Sequence, residues 1–331
     1  MRFLGSIVLG ATLLWGGYWF AGYTAAKHVA EIGQQELQRA GWTVEHAGLR
    51  VLGFPNRFDL TWTEPQLATP DGAFGWRAPF VQLFALSYKP NHLILVWPHD
   101  QHIDTPAGTL RLGTADMRAS TVLQPGTDLR LERATLIAAA PKLVSDWQGL
   151  SIGATELRLA SEADASGTTQ HLGLNLTGLA PDSRLMALFD PALAVPAVIE
   201  EIRIDALAEL SRPIDRHALS GPPPSVNALD LTEARLSWGS VRIRASGRLE
   251  PDEAGYATGD IAVTVDDWRK ALAVAQALGM IAPEVLPTWE NAFAMLSAQS
   301  EDPDTVALPL SFGGGMVRFG LLPLGPAPRL R

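Results

Sequence analysis

Three groups of residues have the types and spacing to do chemistry. Gly149-Leu150-Ser151-Ile152-Gly153 is a formal G-x-S-x-G. In α/β-hydrolases that spacing places a nucleophilic serine on a sharp turn between a strand and a helix. Here residues 156–160 alternate like a strand, so no helix follows Ser151. The downstream Asp164 and His171 are partners that a chain of this length supplies by chance. A serine within or beside a hairpin is the expectation, and a serine hydrolase using Ser151 is retained only as the third functional reading. His92, His99, Asp100, His102 and Asp104 form the densest set of metal-ligand types. Pro98 and Pro106 frame them, no H-E-x-x-H spacing is present, and the segment reads as a polar turn after the apolar run 93–97. Gly313-Gly314-Gly315 lacks the Lys-Ser/Thr of a phosphate loop and precedes a strand-like stretch, residues 316–319, so it reads as a hairpin turn. Asn175-Leu176-Thr177 is a sequon that matters only in a eukaryotic secretory protein. No catalytic, cofactor-binding or metal-ligating residue is assigned, and no cofactor is expected.

What must be positioned is therefore apolar surface. Hydrophobic residues are 47% of the 331 and charged residues 18%, which fits a folded chain. There is no cysteine, which excludes disulfides, thiol nucleophiles and iron–sulfur clusters. The net charge of -9, from 35 acids against 26 bases, lacks the basic footprint of a nucleic-acid binder.

Residues 3–26 carry no charge. As a helix they would reach about 36 Å, enough for a hydrocarbon core of about 30 Å. Trp15, Tyr18, Trp19, Phe20 and Tyr23 crowd the far half like an interfacial aromatic belt. Arg2 and the amino terminus place that end inside. Thr24-Ala25-Ala26 would also serve as a signal-peptide cleavage site; the retained anchor is the leading expectation, and both export the rest. The helix should continue through Val29, Ile32, Leu37 and Ala40 and stop at Gly41.

Beyond Gly41 the period becomes two: Phe58, Leu60 and Trp62; Leu110 and Leu112; Leu157 and Leu159; Leu172, Leu174 and Leu176; Ile202, Ile204, Ala206 and Ala208; Val241, Ile243 and Ala245; Ile261, Val263 and Val265. One apolar and one wet face means antiparallel sheet. Ala115, Ala134 and Ala154 suggest a repeat of about 20 residues, one hairpin each. Helices are expected from Asp266 or Asp267 to Gly279, from Pro287 onward, and over residues 182–189. The expected fold is mainly β with α: an N-terminal transmembrane helix, then a long curved antiparallel β-meander with a few helices and a groove-type sheet. The expected division is an anchor over 1–26, a helical extension over 27–41 and the meander over 42–212. A Pro-rich linker follows over 213–225, and 226–331 continue the sheet with two helices and a closing hairpin.

Particular segments carry a resemblance. They are Gly53-Phe54-Pro55-Asn56-Arg57-Phe58-Asp59-Leu60, then Pro106-Ala107-Gly108, Val265-Asp266-Asp267-Trp268, Gly279-Met280-Ile281, Leu308-Pro309-Leu310-Ser311-Phe312 and Leu322-Pro323-Leu324-Gly325-Pro326-Ala327-Pro328. Together with the leading helix they resemble the proteobacterial envelope family called domain of unknown function 2125, over nearly the whole chain. The ending is also similar, more distantly, to AsmA-like envelope proteins. The resemblance implies a bacterial inner-membrane anchor, a periplasmic β-rich body and lipid handling along a groove; it supplies no catalytic residue. The expected function is a non-enzymatic, membrane-anchored protein binding or guiding lipid along an apolar groove. Its expected partners are inner-membrane lipid and an envelope protein of unknown identity. A scaffold for a membrane partner is the alternative.

Overall fold

Helix α1 (Arg2–Arg39) runs unbroken from the apolar stretch into its amphipathic continuation. It ends where expected: Gly41 adopts φ +89°, its N–H donates to Gln38 O, and the Trp42 N–H reaches Leu37 O, closing the last turn. In this computed structural model of the chain, residues 2–330 are described apart from 147, 148, 188, 190–194, 219, 220, 299–301 and 321. The side chains of residues 2–5, 7 and 8 are not described. Met1 of the expected anchor, residues 219 and 220 of the linker, Leu188 of the short helix and Arg331 thus lie outside the described residues. Among the described residues, no helix is long and apolar enough to cross a membrane.

The strands in order are β1 (Thr43–Glu45), β2 (Gly48–Leu52), β3 (Arg57–Thr63), β4 (Gln66–Ala68), β5 (Gly75–Arg77), β6 (Phe80–Leu86), β7 (Lys89–Trp97) and β8 (Asp100–Thr105). Next come β9 (Gly108–Gly113), β10 (Asp116–Leu123), β11 (Leu131–Ala139), β12 (Lys142–Ser145), β13 (Ser151–Gly153), β14 (Glu156–Ala163) and β15 (Thr169–Pro181). After the short α2 (Ser183–Met186) follow β16 (Ile199–Leu210), β17 (Val226–Trp238), β18 (Val241–Pro251) and β19 (Ala257–Asp266). Helices α3 (Trp268–Ala277) and α4 (Leu286–Ser297) precede β20 (Thr305–Gly313), β21 (Met316–Phe319) and β22 (Leu322–Pro326). The protein is mainly β, and all strands join one long antiparallel open sheet.

The sheet is creased. From β1 to β14, strands come in halves separated by two residues: 46–47, 64–65, 78–79, 98–99, 114–115, 140–141 and 154–155. One half pairs in a long ladder, β2–β3–β6–β7–β10–β11–β14–β15 and on to β22; the other pairs in a short ladder, β1–β4–β5–β8–β9–β12–β13. β15 crosses whole and joins both. Four of the breaks hold a proline, Pro65, Pro79, Pro98 or Pro141, which cannot donate to a ladder. Adjacent breaks bond to one another instead: Thr114 N–H to His99 O, Ala154 N–H to Pro141 O and Ala140 N–H to Thr155 O, each 2.8 Å. Glu64 and Ala140 take φ near +50°, and Gly178 of β15 takes φ +63°.

Three sequence expectations change. Residues 98–106 are not a polar turn: 100–105 are β8, and Asp100, His102 and Asp104 alternate with buried Gln101 and with Ile103. Of the repeat, Ala115 and Ala154 lie at breaks but Ala134 lies inside β11, so three equivalent positions do not exist. Asp267 does not cap α3 with its side chain; at φ +52° its carboxylate accepts from Ser240 Oγ at 2.5 Å and Lys270 Nζ at 3.1 Å. Pro287 does open α4, and Gly314 and Gly315, both with φ > 0, turn the β20–β21 hairpin.

Candidate functional site

Inward side chains of the long ladder form one apolar row. Register carries it from Leu60 and Trp62 through Leu83 and Val81, Leu95 and Trp97, Ala119 and Met117, to Leu136 and Ala138. It goes on through Leu159 and Leu157, Leu174 and Leu176, Ile204 and Ile202, Ala234 and Leu236, to Ala245 and Ile243, Val263 and Val265, Leu308 and Val306. The opposite face holds arginines paired with acids, such as Arg158–Glu156 at 2.5 Å, Arg235–Glu233 at 2.5 Å and Arg244–Asp266 at 3.2 Å. The alternation seen in the sequence thus separates a dry face from an ion-paired one.

Two helical units cover the ends of the row. At one end Trp268 and Leu272 of α3 and Phe293 of α4 pack with Val265 and Val306. At the other, Trp19, Tyr23, Ala26 and Ala30 of α1 pack on Val51, Phe58 and Leu60. The aromatic residues of α1 also make polar contacts: Trp15 Nε1 donates to Pro55 O (3.1 Å), Tyr18 OH to Ser87 O (2.5 Å) and Trp19 Nε1 to Arg57 O (2.9 Å). Farther along, Gln38 Nε2 donates to Val44 O at 3.1 Å and Gln34 accepts from His46 Nε2 at 3.0 Å. Beside these fastenings, under the helix, a cavity of about 480 Å³ remains. Its roof is Ala30, Gly33, Gln34 and Leu37; its walls are Trp62, Val81, Leu95 and Trp97 from the long ladder and Val44, Leu67 and Trp76 from the short one. That volume falls in the ligand-site range of about 300–1,000 Å³, and the lining is of the apolar, aromatic kind such sites use. One wall is fixed by a buried polar contact, Trp76 Nε1 to Gln101 Oε1 at 2.9 Å, with Gln101 only 2% exposed. The polar corner is His46. Its Nε2 proton goes to Gln34, and its buried Nδ1 has no partner among the described residues.

Between the covered ends the row stays open. Leu159 and Ile204, facing each other through Leu174, are each 38% exposed.

The sequence's chemical candidates are scattered. Ser151 begins β13, and its N–H donates to Asp182 Oδ2 at 2.8 Å; hydrogen bonds from the N–H groups of Leu185, Ser151 and Arg184 hold the Asp182 carboxyl below its usual range. His171 lies ten residues before Pro181, the β15 residue level with Ile152, or about 30 Å along the strand. It contacts Asp205 at 2.8 Å. Asp164 accepts from Ser166 and from the N–H groups of Gly167 and Thr169 in the β14–β15 turn. The three do not meet. His92 faces Ser120, His99 faces Thr114 O, and Asp104 takes Thr109 Oγ1 and Arg77; among the described residues no three metal-ligand side chains converge. Asn175 sits in mid-sheet on β15. The residues sequence reading missed are Trp76 and the short-ladder wall. Their signal was an apolar pair five apart across a break, as in Trp62/Leu67 and Trp76/Val81.

The chain belongs to the family described as uncharacterized protein conserved in bacteria (DUF2125), whose model matches residues 19–328. No curated protein matches it. No solved structure does so either.

Proposed function

We propose that this protein is a non-enzymatic component of the bacterial cell envelope. In this reading the N-terminal helix is held in the inner membrane, the β body lies in the periplasm, and the cavity under α1 holds the acyl part of a membrane lipid. The observation that carries the reading is the cavity itself, apolar and lined by Trp62, Trp76 and Trp97. Burying an acyl chain there gains about 25 cal/mol per Å² of apolar surface removed from water. The 24 uncharged residues 3–26 support the anchor. The hydrogen bonds of Trp15, Tyr18 and Trp19 to the body support its retention, since cleavage after Ala26 would remove all three. The ending, similar in pattern to AsmA-like proteins, agrees with lipid handling.

The test is native mass spectrometry of the full chain extracted in mild detergent, beside a Gly33→Trp variant. Gly33 lines the cavity, and a Cβ there meets nothing within 4 Å, so the indole fills the space without displacing the fold. Lipid adducts on the wild type that disappear from the variant are expected. A wild type that never carries lipid defeats the reading. Leu159 and Ile204 favour an assembly scaffold as the second reading; crosslinking there to one stoichiometric protein, with no lipid bound, would select it.

A further inference from the structure

The contacts of α1 set how deep the body sits. Residues 3–14, which precede Trp15 and its bond to Pro55 O, number 12 and reach about 18 Å, far short of a hydrocarbon core of about 30 Å. Counting to Trp19 gives 17 residues and about 26 Å, the lower limit for a spanning helix. The helix therefore spans only if the stretch carrying Trp15, Tyr18 and Trp19 is itself in the membrane. What those residues hold is the tips of two hairpins, β2–β3 through Pro55 O and Arg57 O, and β6–β7 through Ser87 O.

Those tips have the surface that this depth requires. Phe54 is 58% exposed and Tyr88 64%, on turns that polar residues would ordinarily occupy. Just behind them come exposed cations, Arg57 and Lys89, level with each other through Leu86. Arg57 is tied to Asp59 at 2.9 Å, its guanidinium 5.8 Å from the centre of the Phe84 ring. Large apolar side chains ahead of a tier of long cations is the order of a segment seated in the interface, with cations at the phosphates.

We propose that the tips of the β2–β3 and β6–β7 hairpins are inserted in the membrane leaflet on the body's side, with Phe54 and Tyr88 below the phosphates and Arg57 and Lys89 level with them. The partner is the lipid surface itself, so the body is seated on the bilayer rather than held off it on a stalk. The proposal rests on the anchored reading above and adds the depth and the face.

The chain has no cysteine, so single-cysteine labelling is clean. An environment-sensitive fluorophore is placed on Phe54→Cys, Tyr88→Cys and Leu9→Cys of the full chain. The matched control is Phe74→Cys, a phenylalanine 53% exposed on the β4–β5 turn at the opposite end of the strands. The labelled chains are reconstituted in phosphatidylethanolamine–phosphatidylglycerol vesicles, with and without nitroxide-bearing lipid. Blue-shifted emission and quenching at positions 54, 88 and 9, and neither at 74, are expected. Quenching at 9 with positions 54 and 88 no different from 74 overturns the inserted tips and leaves the anchor standing. No quenching at 9 overturns the anchored reading and this proposal with it.

Discussion

Replacing Gly22 by Ala sets two known effects against each other on the helix that roofs the cavity. In a helix interior the substitution gains about 1 kcal/mol from backbone propensity. At Gly22, however, a Cβ would lie 2.3 Å from Phe58 Cζ and 3.0 Å from Cε1. Phe58 is 6% exposed and stacked on Trp19 with ring centres 6.0 Å apart, so its ring has little room to yield. Overpacking of this kind costs about 1–3 kcal/mol. The sum is a net loss of roughly 1 kcal/mol in the docking of α1. Gly33→Ala on the same helix is the control, because its Cβ meets nothing within 4 Å and only the propensity gain of about 1 kcal/mol remains. Amide hydrogen exchange of the full chain in detergent, read on peptides from α1 and β2–β3, reports local opening. Gly22→Ala should exchange several-fold faster than wild type and Gly33→Ala several-fold slower, since about 1.4 kcal/mol is tenfold. A Phe58→Leu change should restore protection in the Gly22→Ala background more than it does alone. If both alanines slow exchange equally, α1 does not pack on β3 at Gly22, and the roof of the cavity is not where it is placed here.

Gln101→Ala should cost about 1–3 kcal/mol in urea unfolding, because the Trp76 indole N–H loses its acceptor inside an apolar wall; adding Trp76→Phe should recover much of the loss. At the crease, Gly178→Ala should lower the thermal midpoint, since φ is +63° and the new Cβ would stand 2.2 Å from Thr155 Oγ1. Ala140→Gly should raise it slightly, by relieving a left-handed alanine worth about 1–2 kcal/mol against about 0.4–1 kcal/mol of added unfolded-state entropy. The Asp182 carboxyl is held below its usual range by the N–H groups of Leu185 and Ser151, so its stabilisation is full above the unfolded carboxylate's pKa and is lost as pH falls through the lower folded value. Asp182→Ala should therefore be less stable than wild type near pH 7, and urea midpoints should show the gap closing at strongly acid pH.

Much of this fold was legible because each strand has a dry face and a wet one. Phe58, Leu60 and Trp62 turn to α1, while Arg57 and Asp59 between them pair outside; the run from Ile202 to Ala208 obeys the same rule. The ends of helices were legible where backbone geometry sets the residue, as at Gly41 and Pro287. Asp267 was misassigned because a carboxylate beside a helix start has other suitors, here Ser240 and Lys270. The aromatic cluster of α1 reads in sequence as an interfacial belt, whereas its indole and phenol donors bond carbonyls of the hairpin tips, and nothing in composition alone distinguishes lipid from protein as the partner.

The crease was hidden by the rule that revealed the strands. Side chains alternate with period two, so a bend that kept strict alternation would leave the apolar face inward only if no residue were added. At six of the seven breaks, and at the matching point of β15, the inward residues step by five; at 98–99 Trp97 leads to Gln101 with no change of phase. Val44 leads to Leu49, Trp62 to Leu67, Trp76 to Val81, Leu112 to Met117, Ala138 to Leu143, Ile152 to Leu157 and Leu176 to Pro181. A step of five is one extra residue, the effect of a β-bulge, and it reverses which parity faces in. Read strand by strand, each crossing looks like the end of one short element and the start of another in the wrong phase. Read as a set, the added residues lie side by side across the sheet, bond to each other, and turn the same apolar face around a corner. That corner brings Leu67 and Trp76 opposite Trp62 and Trp97, and α1 closes over it. The cavity is thus a product of the phase slip. Without the extra residue in β3–β4 and β5–β6, Leu67 and Trp76 would face outward among the ion pairs, and α1 would meet a flat sheet with no space beneath it.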